Sequence, residues 1–235
     1  MNLVPLVDFN DDPIRIQKLS SGLQWSYQEH LEGGGMLFRS SLLSAISKVG
    51  KQKYQRGFEW CSGAGSLGFE LLGFDIADHM TFVDYYDKAI EHCIKTSEIN
   101  EITDKVSAIV SSMIYGINVD YKWDLVIGNP PHSWNLNESR NSMKESGKFT
   151  SEREIENLCR LLVDDNMETH KDFFSEIRSR LTDSADIFII EHDLSKTEEF
   201  KDMADKGGLY FVDMYECLMG EHDFGHKIFH FKVKI

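Results

Sequence analysis

The sequence contains no long hydrophobic segment. No apolar run approaches the roughly 20 residues that span a bilayer, and residues 1–12 (MNLVPLVDFNDD) have neither the basic start nor the apolar stretch of a secretion signal. We expect a soluble protein that has no membrane partner.

Cysteine is scarce and widely spaced. The four cysteines are Cys61, Cys93, Cys159 and Cys217, and no two of them form a C-x-x-C pair. A disulfide framework or a cysteine-based zinc site would need closer or more regular spacing. The pattern predicts reduced thiols and a cytoplasmic protein.

Positive charge is also in short supply. The chain has 25 Lys and Arg against 39 Asp and Glu, a formal net charge of −14. A surface this acidic repels phosphate backbones, so nucleic-acid binding would need a local basic patch or a basic partner subunit. One modest basic cluster is present, and acids are interleaved with it: Arg140, Lys144, Lys148 and Arg153. Composition therefore disfavours a nucleic-acid partner and favours a small molecule or a protein.

The chain does carry enough apolar residues for a core. Its hydrophobic fraction is 41% and its aromatic fraction 11%, both ordinary for a globular protein. No Pro- or Ser-rich linker divides the 235 residues, so we predict one main domain over 55–235. Residues 1–54 are interpreted as a helical N-terminal segment, with the glycines of 33–35 as either a mobile linker or a flap.

Short β-type runs alternate with helical ones from residue 55 onward. The predicted strands are 57–60, 79–84, 106–110, 124–128, 185–192, 209–217 and 227–233. The predicted helices are 66–73, 87–98, 152–163, 168–181 and 195–206. Alternation of this kind indicates a parallel sheet with helices on both faces.

The C-terminal end departs from that alternation. After Lys206 two strands follow each other with only a Gly- and Asp-containing loop between them, so they should pair antiparallel. We therefore predict an α/β Rossmann-like fold whose seven-stranded, mostly parallel sheet ends in an antiparallel hairpin.

A glycine-rich loop follows the first of these strands. Gly63, Gly65 and Gly68 lie where the strand gives way to a helix, a place where the backbone can pass close to a ligand and the helix offers N–H groups. Asp84 ends the next strand, where a carboxylate can accept hydrogen bonds from ribose hydroxyls. A nucleoside cofactor is predicted, either a dinucleotide or S-adenosylmethionine, whose ammonium group Glu59 could pair with.

The fourth strand ends in the sequence Asn-Pro-Pro-His. The side-chain carbonyl of Asn129 and the backbone carbonyl of Pro130 can hold the two hydrogens of an NH2 group, while Pro130 and Pro131 stiffen the turn. This arrangement suits methyl transfer to nitrogen, an in-line displacement that depends mainly on alignment. It favours S-adenosylmethionine over a dinucleotide.

With these motifs the chain resembles the class I S-adenosylmethionine-dependent methyltransferases of the N/D-P-P-aromatic branch. The segments EWCSGAG, FVDYYDKAI and NPPH are similar to that family's glycine loop, second-strand acid and catalytic turn. The resemblance implies a catalytic group made of Asn129, Pro130, Pro131 and His132. It also implies a cofactor-binding group made of Glu59, Cys61, Gly63, Gly65, Asp84, Tyr85, Ser112 and Asn129.

Three residues depart from the family pattern. Cys61 stands where the first glycine is usual, Ser112 where an Asp is common, and His132 where Tyr, Phe or Trp would stack on a planar substrate. Imidazole can stack, take a proton or bond a polar acceptor, so the substrate need not be a nucleobase.

The segment from 187 to 217 also resembles the protein glutamine-N5 methyltransferases. The longer N-terminal domain of those enzymes has no counterpart here, and residues 1–54 and 133–170 are distinctive. We interpret 133–170 as an insertion that forms a lid and sets substrate choice.

A few further polar residues are candidates for contact with substrate. His170 lies on a helix with two phenylalanines and can either pack there or reach the pocket, while Glu191 and His192 can face the substrate or cap their strand. Three histidines lie close together in the sequence, namely His222, His226 and His230. No cysteine thiolate accompanies them and their spacing is not that of a regular ligand set, so no metal site is predicted.

Together these features predict an N-methyltransferase that acts on an amide, amine or amidine nitrogen of a small molecule or a protein side chain. Two alternatives remain open. One is methylation of an RNA or DNA base, with or without a partner subunit, and the other is a cofactor-binding scaffold that has lost catalysis.

Overall fold

The computed structural model describes most of the chain. The described residues are 13–31, 35–51, 53–112, 114–118, 120–132, 135–145, 152, 155–156, 159, 162–164, 166–192, 197–219 and 222–235. Parts of the predicted lid and of the helix predicted at 152–163 lie outside these residues.

A twisted seven-stranded sheet forms the centre of the molecule, and a short hairpin of two strands precedes it. The hairpin strands are β1 Arg15–Lys18 and β2 Gln24–Tyr27. The sheet strands are β3 Tyr54–Trp60, β4 Ala77–Asp84, β5 Val106–Val110, β6 Trp123–Gly128, β7 Leu181–His192, β8 Leu209–Met219 and β9 His222–Val233. Their order is β5-β4-β3-β6-β7-β9-β8, with β9 antiparallel to both of its neighbours and the other pairings parallel. The predicted fold class and the terminal hairpin are confirmed.

Six helices are assigned in the described part of the chain. They are α1 Gly35–Lys48, α2 Ser66–Gly73, α3 Asp87–Ile99, α4 Leu136–Glu145, α5 Glu168–Glu176 and α6 Thr197–Lys206. The helices predicted at 66–73 and 87–98 are confirmed. The one predicted at 168–181 ends at Glu176, after which a 3-10 turn covers Ile177–Arg180.

Alternating side chains of the central strands supply two apolar cores, one on each face of the sheet. Leu125 and Ile127 of β6 belong to one core and Val126 to the other, as the two-residue period of a strand requires. Burial on both faces explains why every residue of β6 is buried and why its sequence is a continuous apolar run. A sheet held from both sides provides a rigid platform for the loops at its edge.

The N-terminal segment differs from the helical expectation. Among the described residues of this segment, α1 and a 3-10 turn at Glu29–Leu31 are helical, whereas residues 15–27 form the β1–β2 hairpin. Trp25 of β2 is fully buried and its indole N–H donates to the Ala64 carbonyl at 2.8 Å. The hairpin therefore packs against the glycine loop, and long-range packing decides its conformation.

Helix α4 was not predicted, although the sequence contains its start signal. The side-chain oxygen of Asn135 accepts hydrogen bonds from the N–H groups of Asn137 and Glu138, at 3.0 and 3.1 Å. An asparagine that caps the first turn in this way is a typical helix start. The helix is polar, with Ser139 its one fully buried residue, so apolar periodicity gave no sign of it.

Candidate active site

The glycine loop connects β3 to α2 at the carboxyl edge of the sheet. Gly63 and Gly65 have φ angles of 51° and 79°, in the left-handed region that glycine favours. A Cβ on Gly65 would lie 2.8 Å from the ring of Phe82, so the loop backbone is pressed against β4. Cys61 also has a positive φ of 51°, which explains why a glycine is usual there and means that this cysteine bears backbone strain.

Asp84, the last residue of β4, is hydrogen-bonded to the glycine loop. Its two carboxylate oxygens accept bonds from the N–H groups of Gly63 and Tyr86, both at 2.9 Å. Burial raises the pKa of Asp84, and these backbone hydrogen bonds oppose the rise. A carboxylate has about four lone-pair positions, so Asp84 retains capacity for further donors such as the two hydroxyls of a ribose.

Glu59 lies beneath the first turn of α2. Its carboxylate is 2% exposed and accepts the Gly68 N–H at 2.8 Å. Burial raises the pKa of Glu59 to about 8, with Asp84 adding to the rise and the backbone donors opposing it. In this position Glu59 anchors the helix that follows the loop, and its predicted contact with a cofactor ammonium group stays a prediction.

The two residues predicted to contact adenine both lie at the carboxyl edge, next to Asp84. Tyr85 directly follows Asp84 and is 39% exposed, and burial of its hydroxyl raises the pKa of Tyr85 to about 12. Ser112 is exposed just beyond β5, and the preceding Ser111 donates its N–H to the Asp84 carbonyl at 2.9 Å. An exposed aromatic ring beside a carboxylate is suited to packing against a planar base.

The Asn-Pro-Pro turn lies directly beside the glycine loop. Trp60 of β3 is in register with Gly128 of β6, so Cys61 and Asn129 are the next residues on adjacent parallel strands. Pro130 is buried and Asn129 and Pro131 are half-buried. The Asn129 side-chain oxygen is itself buried in this conformation. A substrate nitrogen can therefore reach it only after neighbouring groups move.

His132 continues the turn into a cluster of imidazoles. Its Nδ1 lies 2.7 Å from an oxygen of Glu191, and its Nε2 lies 3.3 Å from Nε2 of His226. The ring centroids of His192 and His226 are 4.7 Å apart. We call these four residues, His132, Glu191, His192 and His226, the imidazole cluster.

The backbone of His132 holds the segment that precedes α5. Its N–H donates to the Leu162 carbonyl at 2.9 Å, and its carbonyl accepts the Asp164 N–H at 2.8 Å. Asp164 in turn bonds Nδ1 of His170 at 2.7 Å. His170 is fully buried, contacts Trp60 edge-on, and has its Nε2 3.8 Å from Glu191, so it packs in the core while adjoining the imidazole cluster.

Sequence reasoning missed two members of this arrangement. Asp164 was not considered, and His226 was considered only as a metal ligand. The pairing of β7 with β9, in which His192 is opposite His226, is the feature that brings His226 to the site. Its sequence signal is a histidine near the adjoining ends of two strands already expected to be neighbours.

The basic cluster is largely neutralised where the structure describes it. Arg140 bonds Glu156 at 2.6 Å and Lys144 bonds Glu152 at 2.8 Å, while Lys148 and Arg153 lie outside the described residues. Over the described ranges no three His, Cys, Asp or Glu side chains are arranged to hold a metal ion. Within the same part of the chain no helix is both long and apolar enough to cross a membrane.

The residues at the carboxyl edge fit S-adenosylmethionine. Asp84 offers acceptors to a ribose, the glycine loop allows close backbone approach, and Tyr85 offers an exposed ring. The strand register places the turn at Asn129 beside that loop.

Comparison with known proteins agrees with this interpretation. Residues 39–146 match the family described as "Methyltransferase small domain". A stretch of 71 residues is 30% identical to the release factor glutamine methyltransferase of Fusobacterium nucleatum subsp. nucleatum. That stretch is 30% of this chain and spans only 20% of the relative's length.

Solved structures share the fold at low identity. The ribosomal protein L11 methylase of Lactobacillus delbrueckii subsp. bulgaricus matches with a TM-score of 0.58 and 12% identity, over 89% of this chain and 84% of the other. The 16S rRNA N2 G1207 methyltransferase of T. thermophilus, solved with AdoMet and guanosine, matches with a TM-score of 0.59 and 12% identity, over 100% and 52%. The expectation that a nucleic-acid partner is disfavoured gains no support from such neighbours.

The family match, the strand order and the residues at the carboxyl edge of the sheet all point to the same kind of protein. We conclude that residues 39–146 resemble the methyltransferase small domain family and that the chain has the Rossmann-like fold of the methyltransferase structures it matches.

Proposed function

We propose that this protein transfers the methyl group of S-adenosylmethionine to a nitrogen atom of a small molecule or a protein side chain. The observation that carries the proposal is the register of Trp60 with Gly128. It sets the turn that begins at Asn129 beside the glycine loop that begins at Cys61. The acceptor site and the cofactor site are then neighbours along one edge of the sheet.

Cofactor binding is assigned to the residues around the glycine loop. Asp84 accepts the ribose hydroxyls and holds the loop through Gly63, Tyr85 packs against the adenine, and Glu59 supports α2 from below. When bound, the cofactor supplies an electrophilic methyl group on a sulfonium. The protein's contribution is to align an acceptor with that group and to keep water away.

Acceptor binding is assigned to the turn at the end of β6. The Asn129 side-chain oxygen and the Pro130 carbonyl accept two N–H bonds of the acceptor, which directs the nitrogen lone pair toward the methyl group. Pro130 is buried and the prolines restrict the backbone, so the turn is rigid. Precise alignment of this kind is worth several powers of ten in rate.

Charge and one sequence match support a small-molecule or protein acceptor. The two described basic side chains of the 133–170 segment are paired with acids, Arg140 with Glu156 and Lys144 with Glu152. They therefore form no open patch for a phosphate backbone. The release factor glutamine methyltransferase that matches part of the chain modifies a protein, as its name states. We assign the 133–170 segment to the lid that selects the acceptor.

RNA-base methylation is the second candidate. Its support is the set of similar folds whose titles name rRNA or tRNA methyltransferases. Because the chain carries a net charge of −14, this function would require a basic partner. Transfer of radiolabelled methyl groups into separated RNA, protein and small-molecule fractions distinguishes the two candidates.

The proposal predicts opposite effects for two substitutions. Asn129→Ala should lower the rate of methyl transfer at least 100-fold, because the acceptor loses a positioning oxygen, and should leave affinity for S-adenosylmethionine nearly unchanged. Asp84→Ala should lower that affinity at least tenfold, because the ribose and the loop both lose their acceptor. Calorimetry measures the affinities and radiolabel transfer the rates.

Asp78→Ala is the matched control, since Asp78 lies on the same strand with its side chain 55% exposed. It should change neither quantity. Full transfer activity in Asn129→Ala would show that the role assigned to the turn is wrong. Cofactor binding without transfer to any fraction would instead favour a scaffold that has lost catalysis.

A further inference from the structure

We propose that the imidazole cluster is the proton acceptor of the reaction, and that the methyl acceptor is an aliphatic amine that arrives as an ammonium ion. This inference rests on the proposed N-methyltransferase function and narrows its substrate. It is carried by the contacts between His132, Glu191 and His226 at the end of the catalytic turn.

The contact between His132 and Glu191 fixes the tautomer of the imidazole. The carboxylate is fully buried, the His132 side chain is 12% exposed, and Nδ1 lies 2.7 Å from the carboxylate oxygen. An ionised carboxylate can only accept, so His132 donates from Nδ1 and its Nε2 is left as the basic atom. A carboxylate that fixes the tautomer of a histidine and stabilises its protonated form is the arrangement used by general bases.

The other nitrogen of the His132 ring meets a second imidazole. His132 and His226 approach to 3.3 Å through their Nε2 atoms, and since that of His132 accepts, His226 donates. A proton that reaches Nε2 of His132 displaces this hydrogen bond. Glu191 lies beside the protonated ring and balances its charge.

Groups from several elements surround the pair. Strand β7 contributes Glu191 and His192, and β9 contributes Lys227, which is directly opposite Glu191 and 4.0 Å from Glu216. His170 of α5 lies 3.8 Å from Glu191 and bonds Asp164. Phe38 of α1 covers His226 with its ring, 4.8 Å between centroids. Among the described residues around the pair, the carboxylates of Glu191 and Asp164 favour a cationic ligand.

A proton acceptor at this position has a specific chemical use. An amide or a nucleobase NH2 group is uncharged at neutral pH, so it needs no base before it attacks and loses its proton only as or after the new bond forms. An aliphatic amine is an ammonium ion at neutral pH, as a lysine is, and has no lone pair until a proton leaves. The cluster therefore fits an amine better than an amide.

Protons and electron pairs balance in this reaction. An N–H bond of the ammonium ion breaks, its electron pair stays on nitrogen and the proton passes to Nε2 of His132. The two remaining N–H bonds are those that the Asn129 and Pro130 oxygens accept. The lone pair of electrons on nitrogen then forms the bond to the methyl carbon as the C–S bond breaks. The two electrons of the C–S bond stay on sulfur.

The first test is spectroscopic and needs no turnover. Long-range ¹H–¹⁵N NMR spectra of histidine-labelled protein should show His132 protonated at Nδ1 and unprotonated at Nε2 when neutral. In Glu191→Gln that tautomer preference should be lost. A neutral His132 protonated at Nε2 in the unaltered protein would overturn the proposal, whatever the enzyme does.

The second test is the pH dependence of kcat/KM with a primary alkylamine as probe acceptor. In His132→Phe, which keeps a stacking ring, the rate should fall at least 100-fold at pH 7. It should then rise about tenfold per pH unit, because only the spontaneously deprotonated fraction of the amine reacts. Glu191→Gln should lower kcat/KM at pH 7, because the imidazole loses the carboxylate that fixes its tautomer.

His79→Gln is the matched control, since His79 lies near the start of β4, at the opposite edge of the sheet. It should preserve the rate and the pH profile. A His132→Phe variant with full rate and the normal profile would assign the residue to stacking and overturn the inference.

The third test identifies the acceptor. Labelled methyl groups from S-adenosylmethionine should enter the cationic small-molecule fraction of a cell extract, or lysine side chains after hydrolysis of the protein fraction. Label in RNA or in glutamine would overturn the amine inference but leave N-methylation intact. Failure to bind S-adenosylmethionine would contradict the proposed function itself.

Discussion

At the scale of single residues, Glu59 shows how burial changes the chemistry of a carboxyl group. The side chain is 2% exposed, and burial raises its pKa to about 8 from an ordinary value of 4.5. Between these two pH values the folded protein retains a proton that the unfolded chain releases. Stability therefore decreases as the pH rises through this window.

The consequence can be measured with Glu59→Gln. The unaltered protein should lose up to a few kcal/mol of unfolding free energy between pH 5 and pH 8, and the variant should lack this part of the decrease. Urea unfolding at several pH values gives the comparison. Glu98→Gln, at an exposed position of α3, should retain the full decrease, and an identical pH slope in Glu59→Gln would contradict the raised pKa.

At the scale of elements, the glycine loop depends on contact with the neighbouring strand. Gly65 has a φ of 79°, and the ring of Phe82 of β4 occupies the space that a side chain at this position would need. Gly50 has a similar φ of 75°, but nothing lies within 4 Å of where its Cβ would be. The two glycines share the backbone conformation and differ in the space around them. A comparison of substitutions at the two positions therefore distinguishes the effect of backbone strain from the effect of steric contact.

Alanine substitutions at these two glycines should differ in effect. Gly50→Ala should cost about 1 kcal/mol of stability from backbone strain alone. Gly65→Ala should cost at least about 2 kcal/mol, because overpacking is added to that strain, and should weaken S-adenosylmethionine binding. Urea unfolding and calorimetry check both. Equal losses would mean that Phe82 moves aside without cost.

Elements were also the level at which sequence-based prediction succeeded most and failed most clearly. The strand predicted at 106–110 and the helix predicted at 66–73 match their observed bounds, because local apolar patterns and glycines mark them. The β1–β2 hairpin was missed because burial of Trp25 against the glycine loop stabilises it. That contact joins residues 39 positions apart and leaves no local pattern.

At the scale of the whole molecule, a buried polar network joins three strands of the sheet. Asp186 of β7 accepts bonds from His230 of β9 at 2.8 Å and from the Tyr54 hydroxyl of β3 at 3.1 Å. Burial acts to raise the pKa of Asp186, but the bond from His230, with help from Lys232 and Tyr54, outweighs it and lowers the pKa. A lowered pKa means that the ionised form stabilises the fold above the ordinary value of 3.8.

Asp186→Asn should therefore destabilise the entire domain near neutral pH. The expected loss is about 3 kcal/mol, because Asn cannot replace the hydrogen bonds that the buried charged carboxylate accepts. The deficit should shrink as the pH falls through the lowered pKa, because the aspartate of the unaltered protein then becomes protonated. Unfolding in urea at pH 7 and at acidic pH measures it. Asp183→Asn, with a side chain 74% exposed, should change stability by less than about 0.5 kcal/mol.

The sequence by itself determined the sheet, the terminal hairpin, the glycine loop with Asp84, and the turn that begins at Asn129. These features depend on short segments of sequence, in which the spacing of apolar residues and the turn residues determine the local structure. The tertiary structure alone decided that Glu59 is buried under α2 and that His132, Glu191 and His226 meet. Such contacts depend on the register between strands distant in the chain, which local sequence does not encode.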